Sequence, residues 1–238
     1  MFLSCQPAKQ KITILPNRNE LNLKAFSIVL PEGWAYIKAD GIDSFVGNIV
    51  GPKVSLSFDF STMGYANDLL QTDEEYLKQG KWLRECYFCE PGIIYISGGS
   101  LKQAKADEMK RRGITDSSLV KVEIDPNPEI KKNIRKPSKQ ERIKYPNADY
   151  IADLTYRGIK KSIPIELPAE IKAHQTTIDT NNNYIVKTIW PKVPGKGMTG
   201  VYMKSRKSSL NFQISGDSLP KAQQELALQA FKTIKIKE

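Results

Sequence analysis

Histidine and cysteine are the scarce residues of this chain, with one His and three Cys in 238 residues. His174 is therefore the sole imidazole that a Ser or Cys nucleophile has as a base. Three cysteines exclude a disulfide-dense scaffold. A structural zinc ion needs four ligands, and the soft candidates Cys5, Cys86, Cys89 and His174 are scattered. Long apolar runs are missing too. None approaches the ~18 residues that a membrane-spanning helix requires. Carboxylate pairs such as Asp40/Asp43 and Asp149/Asp153 carry no spacing that marks acid–base work. No cofactor and no metal are expected. The chain has no internal repeat, and its length suits one large domain or two small ones.

Charge is plentiful and uneven. Lys and Arg number 36 against 26 Asp and Glu, a formal net charge of +10. Between residues 131 and 144, Lys131, Lys132, Arg135, Lys136, Lys139, Arg142 and Lys144 face only Glu141. A charge this concentrated predicts a solvated, mobile segment. Pro126, Pro128, Pro137 and Pro146 interrupt the same region. Residues 125–146 are thus expected to be a linker or a long surface insertion.

Elsewhere the pattern reads as strands and turns. Residues 1–23 are polar and mixed, a tether. Phe26 to Leu30 and Trp34 to Ala39 flank Pro31-Glu32-Gly33 and predict a hairpin. In the stretch 54–60, Val54, Leu56, Phe58 and Phe60 share one face, while Ser55, Ser57 and Asp59 share the other. Thr72 with Glu75 predicts a capped helix start. Ser100 and Gly113 bracket a second helix ending at Arg112. Further hairpins are expected at 150–167, with Arg157-Gly158 as the turn, at 171–190 and at 200–214. Leu219, Ala222, Leu226, Ala227, Ala230 and Phe231 form one helical stripe. Hairpins dominate without βαβ alternation. That predicts an α+β fold, a mainly antiparallel sheet with packed helices, in a single domain over 24–238.

Three stretches carry resemblances. Leu3-Ser4-Cys5-Gln6 resembles the lipobox of bacterial lipoproteins, which implies that Cys5 becomes lipidated. The residues before Cys5 are too few for a signal sequence. Export through this motif needs residues upstream of Met1, and with Met1 as the true start the expectation is a cytoplasmic protein. Phe26-Ser27-Ile28-Val29-Leu30-Pro31-Glu32-Gly33-Trp34 resembles the opening of PsbP-like domains. The stretch from Ala227 to Ile236 resembles their closing helix and last strand. That resemblance implies an α/β/α sandwich around an antiparallel sheet, whose members act mainly by binding other proteins. The chain as a whole is similar to uncharacterised lipoproteins of Bacteroidetes-type bacteria. No catalytic residues come with either likeness, and fold alone does not fix function.

Five motifs are candidates for chemistry. Gly216-Asp217-Ser218-Leu219 matches the nucleophile motif of GDSL esterases, but it lies near the C-terminus and His174 lies upstream of it. A turn with Ser218 capping the last helix and Pro220 in its first turn explains the same residues. Gly195-Lys196-Gly197-Met198-Thr199-Gly200 lacks the phosphate-loop spacing and reads as a connection between strands. Around it, Trp190, Lys192, Lys196, Lys204, Arg206 and Lys207 cluster in sequence as a candidate binding surface. Cys86-Tyr87-Phe88-Cys89 reads as a local disulfide or two free thiols rather than a redox site. The basic run 131–144 is the one feature that favours nucleic acid. The reading these residues favour is a non-enzymatic exported binding or accessory protein of the bacterial cell envelope, periplasmic or anchored through Cys5. Its partner would be a protein or an envelope component. The alternatives are a serine hydrolase using Ser218 and His174, and a cytoplasmic nucleic-acid binder using residues 131–144.

Overall fold

A computed structural model describes residues 19–181 and 183–237. The chain forms two compact units: Met1–Gln71 with Ala169–Glu238, and Thr72–Pro168. A single domain over 24–238 with an interruption at 125–146 was the expectation. Residues 125–146 lie instead within the second unit, which begins at Thr72.

In the first unit, β1 (Asn19–Asn22) pairs antiparallel with β2 (Phe26–Leu30). Residues 19–22 therefore belong to the fold and not to the expected tether. Three of the four side chains are polar, and Leu21 packs against the apolar core. Cys5 lies outside the described residues. β3 (Ala35–Lys38), β4 (Phe45–Gly51) and β5 (Val54–Ser61) follow as a meander. The expected hairpin between Phe26–Leu30 and Trp34–Ala39 does not form. β2 pairs with β1, β3 pairs with β4, and the turn at Pro31-Glu32-Gly33 moves the chain from one sheet to another. The alternation of β5 holds: Val54, Leu56, Phe58 and Phe60 are buried, while Ser55 and Ser57 are exposed.

The second unit opens with α1 (Asp73–Gln79), whose Thr72–Glu75 capping box forms as the spacing predicts. β6 (Ile93–Ile96), α2 (Leu101–Arg112) and β7 (Lys121–Ile124) come next. Ser100 caps α2, and Gly113, at φ 65°, ends it. β6 and β7 are parallel, so this stretch is a βαβ unit that the sequence reading did not anticipate. β8 (Lys131–Arg135), α3 (Lys139–Lys144), β9 (Tyr150–Tyr156) and β10 (Ile159–Ile165) complete the unit. The three strands form an antiparallel sheet in the order β10-β9-β8. The region expected to be mobile is thus built into β8 and α3. Pairing with β9 orders β8, and a Ser138–Glu141 capping box starts α3.

The chain then returns to the first unit through α4 (Ala169–Ala173), β11 (His174–Thr180), β12 (Tyr184–Pro191), β13 (Met198–Ser205) and β14 (Asn211–Asp217). The strand expected from Ile171 starts only at His174, because the residues before it coil into α4. α5 (Lys221–Phe231) and β15 (Lys235–Ile236) finish the fold. Seven strands form one antiparallel sheet, β11-β12-β13-β14-β5-β4-β3. Three more form a small sheet, β1-β2-β15. The architecture is α+β and mostly antiparallel, as expected.

Register places the core. Phe212 faces Phe60, Ile214 faces Phe58, and Met203 and Val201 continue both rows. This face of the large sheet packs with β2 and α5 in one apolar cluster. Phe26 sits at its centre, fully buried. Its ring lies edge-on to Phe58 at 5.0 Å and tilted on Phe212 at 4.7 Å, spacings that favour aromatic pairs. Gly47 makes room for this packing, since a Cβ there would come within 2.7 Å of the Phe58 ring. Leu219, just before α5, and Ala227, Ala230 and Phe231 on it are buried as the stripe predicts, but Ala222 is exposed and Gln224 is buried instead. Truncating Phe26 removes ring contacts that its neighbours cannot refill. Phe26→Ala is expected to lower unfolding stability by about 3–5 kcal/mol, measured by urea denaturation.

Candidate functional site

The cations placed together by sequence are not together in space. Lys192 and Lys196 lie in the turn between β12 and β13, near Trp190. Lys204, Arg206 and Lys207 lie at the far end of β13, roughly 23 Å away at the usual rise per strand residue. Several are also engaged. Lys192 donates to the Lys172 carbonyl, Arg206 to the Asn181 carbonyl and Lys207 to Asn183 Oδ1. These bonds tie strand ends together. Trp190 is half-buried, and among the described residues no cation lies over its ring. The six residues form two hairpin ends rather than one surface.

His174 and Ser218 do approach the same loop. Met198 N–H donates to His174 Nε2 at 3.1 Å, and Nδ1 contacts the Glu170 carbonyl at 2.6 Å. With Nδ1 donating to that carbonyl, the one imidazole lone pair is taken by a backbone amide. Ser218 N–H donates to the Gly197 carbonyl. Gly197 is required here: its φ is 122°, and a Cβ would stand 2.5 Å from His174 Nε2. The imidazole thus holds the glycine turn in place. Ser218 is not the cap of α5 either. It takes φ 54° in the turn, and Pro220 holds the N-cap position without a side-chain bond.

Cys86 and Cys89 are joined by a disulfide. It closes the Tyr87-Phe88 loop, which belongs to the same unit as the β9–β10 hairpin. Phe88 packs on Tyr156 at 5.6 Å, and Lys161 donates to the Tyr87 carbonyl. Burial, helped by nearby Glu85, pushes the Tyr87 hydroxyl up from its usual pKa.

The basic run is ordered and partly neutralised. Arg135 makes two 2.7 Å bonds to Glu141 and a further 2.7 Å bond from Nε to Asp153. Ser162 adds a bond to Asp153, and Ser138 N–H one to Glu141. These contacts tie β8, α3, β9 and β10 together. Lys136 lies 3.5 Å over the Tyr150 ring, whose hydroxyl donates to Asp73. Of the seven cations in the run, these contacts engage Arg135 and Lys136.

A different cation set does converge. Strand register puts Lys131 and Lys160 on either side of Thr155. Asn133 and Ser162 flank Asp153 in the next row on the same face. Lys131, Asn133, Lys160 and Ser162 are exposed, whereas Ala152, Leu154, Ile163 and Ile165 are buried on the other face. The two ammonium-bearing strands stand about 10 Å apart, twice the strand spacing. A cavity of about 310 Å³ is lined by these two rows together with Lys132, Leu154 and Lys161 of the row between them. Among the described residues neither Lys131 nor Lys160 makes an ion pair. Asp153, the nearby carboxylate, is already held by Arg135. A phosphate, sulfate or carboxylate over Thr155 would meet both lysines and hydroxyl or amide donors. Sequence reasoning missed Lys160 because it stood outside the run. The signal was available: folding the Arg157-Gly158 hairpin brings Lys160 beside Thr155.

No protein-family model matches the chain, and no curated protein sequence does.

Hydrogen bonds from Arg135, then from Ser138, hold the Glu141 carboxyl well below the usual carboxylate range. Arg135 first, and then Ser162, does the same for Asp153. The stability these shifts confer is complete above the ordinary carboxylate values and is lost as pH falls through the lowered ones. Acidifying from about pH 5 to pH 2 is therefore expected to lower the melting temperature of the 72–168 unit. Arg135→Gln is expected to flatten that dependence, read by circular dichroism melts across the series.

Proposed function

We propose that this is a non-catalytic binding protein of the bacterial cell envelope that takes an anionic partner on the Lys131–Thr155–Lys160 face. The carrying observation is that row: two exposed lysines without ion-pair partners among the described residues, flanking a hydroxyl on a rigid sheet. The cations cost nothing to hold there because water solvates them, and they attract an anion from either side. Three features support the wider reading. The Cys86–Cys89 disulfide fits an oxidising compartment. Leu3-Ser4-Cys5-Gln6 fits anchoring through a lipidated Cys5. The imidazole of His174, already bonded at both nitrogens, fits a structural rather than a catalytic role. The first unit further supports a PsbP-like sandwich, since the opening strand β2 pairs with β15 and packs with α5.

Binding to immobilised dextran sulfate tests the face. Lys131→Glu with Lys160→Glu is expected to weaken retention at least about tenfold without lowering the melting temperature. Charge reversal at Lys196, Arg206 and Lys207 is expected to weaken it far less. An equal loss from the second set overturns the assignment.

Location has its own experiment. Expressed from native upstream DNA, the protein is expected in the membrane fraction with Cys5-dependent lipid labelling. A soluble, unlabelled product of both the parent and Cys5→Ala overturns the envelope reading.

A further inference from the structure

The β6–β7 pair is a two-stranded parallel sheet, and among the described residues no third strand joins it. Parallel strands are ordinarily covered on both faces. Here β7 presents Lys121, Glu123 and Ile124 to solvent. Two large apolar side chains, Leu119 at 66% and Ile124 at 43% exposure, mark its two ends. α2, the crossover helix, buries no residue fully, so it leaves the strand partly uncovered.

A groove of about 450 Å³ runs between α2 and β7. Val120, Lys121, Val122 and Glu123 all line it. Successive strand residues point to opposite faces. Four in a row therefore bring main-chain as well as side-chain atoms to the groove. From α2, Leu101, Lys102 and Lys105 complete the lining. Asp116 lies close enough to Lys105 to feel its charge, and Glu123 is the carboxylate in the groove itself. Lys102 and Lys121 are exposed and make no ion pair among the described residues.

We infer that the open edge of β7 accepts an extended acidic polypeptide segment by strand addition beside α2. The backbone N–H and C=O groups along this edge form the ladder. Apolar side chains of the segment alternate onto Leu101 and Val122, and its carboxylates reach Lys102, Lys105 and Lys121. The charge of the groove excludes a basic segment by the same argument. This site is separate from the Lys131–Lys160 face, so either can fail alone.

The test uses the full chain and three labelled peptides: an alternating Glu/Val heptapeptide, its Lys/Val counterpart, and the Glu/Val peptide N-methylated at alternate residues. Methylation keeps the charge and removes the ladder donors. Fluorescence anisotropy is expected to show saturable binding of the unmethylated acidic peptide. The methylated and basic peptides are expected to bind at least about tenfold more weakly. Lys102→Glu with Lys121→Glu is expected to cost a similar factor. A melting curve matching the parent's shows that the double variant remains folded, and Lys131→Glu with Lys160→Glu is expected to leave this binding intact. Equal affinity for the methylated and unmethylated peptides overturns strand addition in favour of a charge-only surface. No binding of the acidic peptide overturns the site. Sedimentation showing a dimer broken by Lys121→Glu overturns it too, by giving the edge to a second copy.

Discussion

Phe26 is the residue on which the larger unit closes. Its backbone pairs with Ile236 on the last strand, and its ring reaches Phe58 and Phe212 on the large sheet. Three distant parts of the chain therefore meet at one buried side chain. Its neighbours reinforce the closure. Val29 N–H donates to the Thr233 hydroxyl, and Lys237 N–H donates to the Ala25 carbonyl. Apolar burial supplies the driving force, and these bonds fix the register in which it is collected.

The smaller unit is organised differently. Its second sheet is held on one face by Leu154, Ala152, Ile163 and Ile165, a modest apolar layer. On the other face Arg135 joins two carboxylates from two elements. At partial exposure such contacts orient more than they stabilise. Their service is to fix α3 on the sheet and to remove Arg135, Glu141 and Asp153 from the pool of available charge. Lys131 and Lys160 stay exposed and make no ion pair among the described residues. Charge in sequence and charge open to a ligand are different quantities, and hydrogen-bond geometry converts one into the other.

Local chemistry made several elements readable. The Thr72–Glu75 pair, the Ser100 cap with Gly113, the alternation of β5 and the hairpin at Arg157-Gly158 all describe interactions within a few residues, and all form. What was missed depends on partners far along the chain. β1 has a single apolar residue, Leu21, and becomes a strand against β2. Lys131-Lys132-Asn133-Ile134-Arg135 looks like solvated coil until β9 pairs with it, although Ser138 and Glu141 already spelled a capping box just beyond. Pro31-Glu32-Gly33 was a correct turn joined to the wrong partner, because a turn does not say which sheet receives the next strand. The Trp190–Lys207 cluster failed for a related reason. Eighteen positions that include a full strand, β13, cannot share a small surface.

The pairing of β15 with β2 also sets an order of events during synthesis. The ribosome delivers Phe26 more than two hundred residues before Ile236, so the first unit cannot close until nearly the whole chain has emerged. The stretch Thr72–Pro168 is contiguous and has all its own strands long before that moment. The inserted unit can thus fold while β2 still waits for β15 and β5 for β14. Contacts of such long sequence separation form slowly, and a nascent chain in that interval is open to aggregation. A holding chaperone that shields residues 26–60 would act on the interval this topology creates.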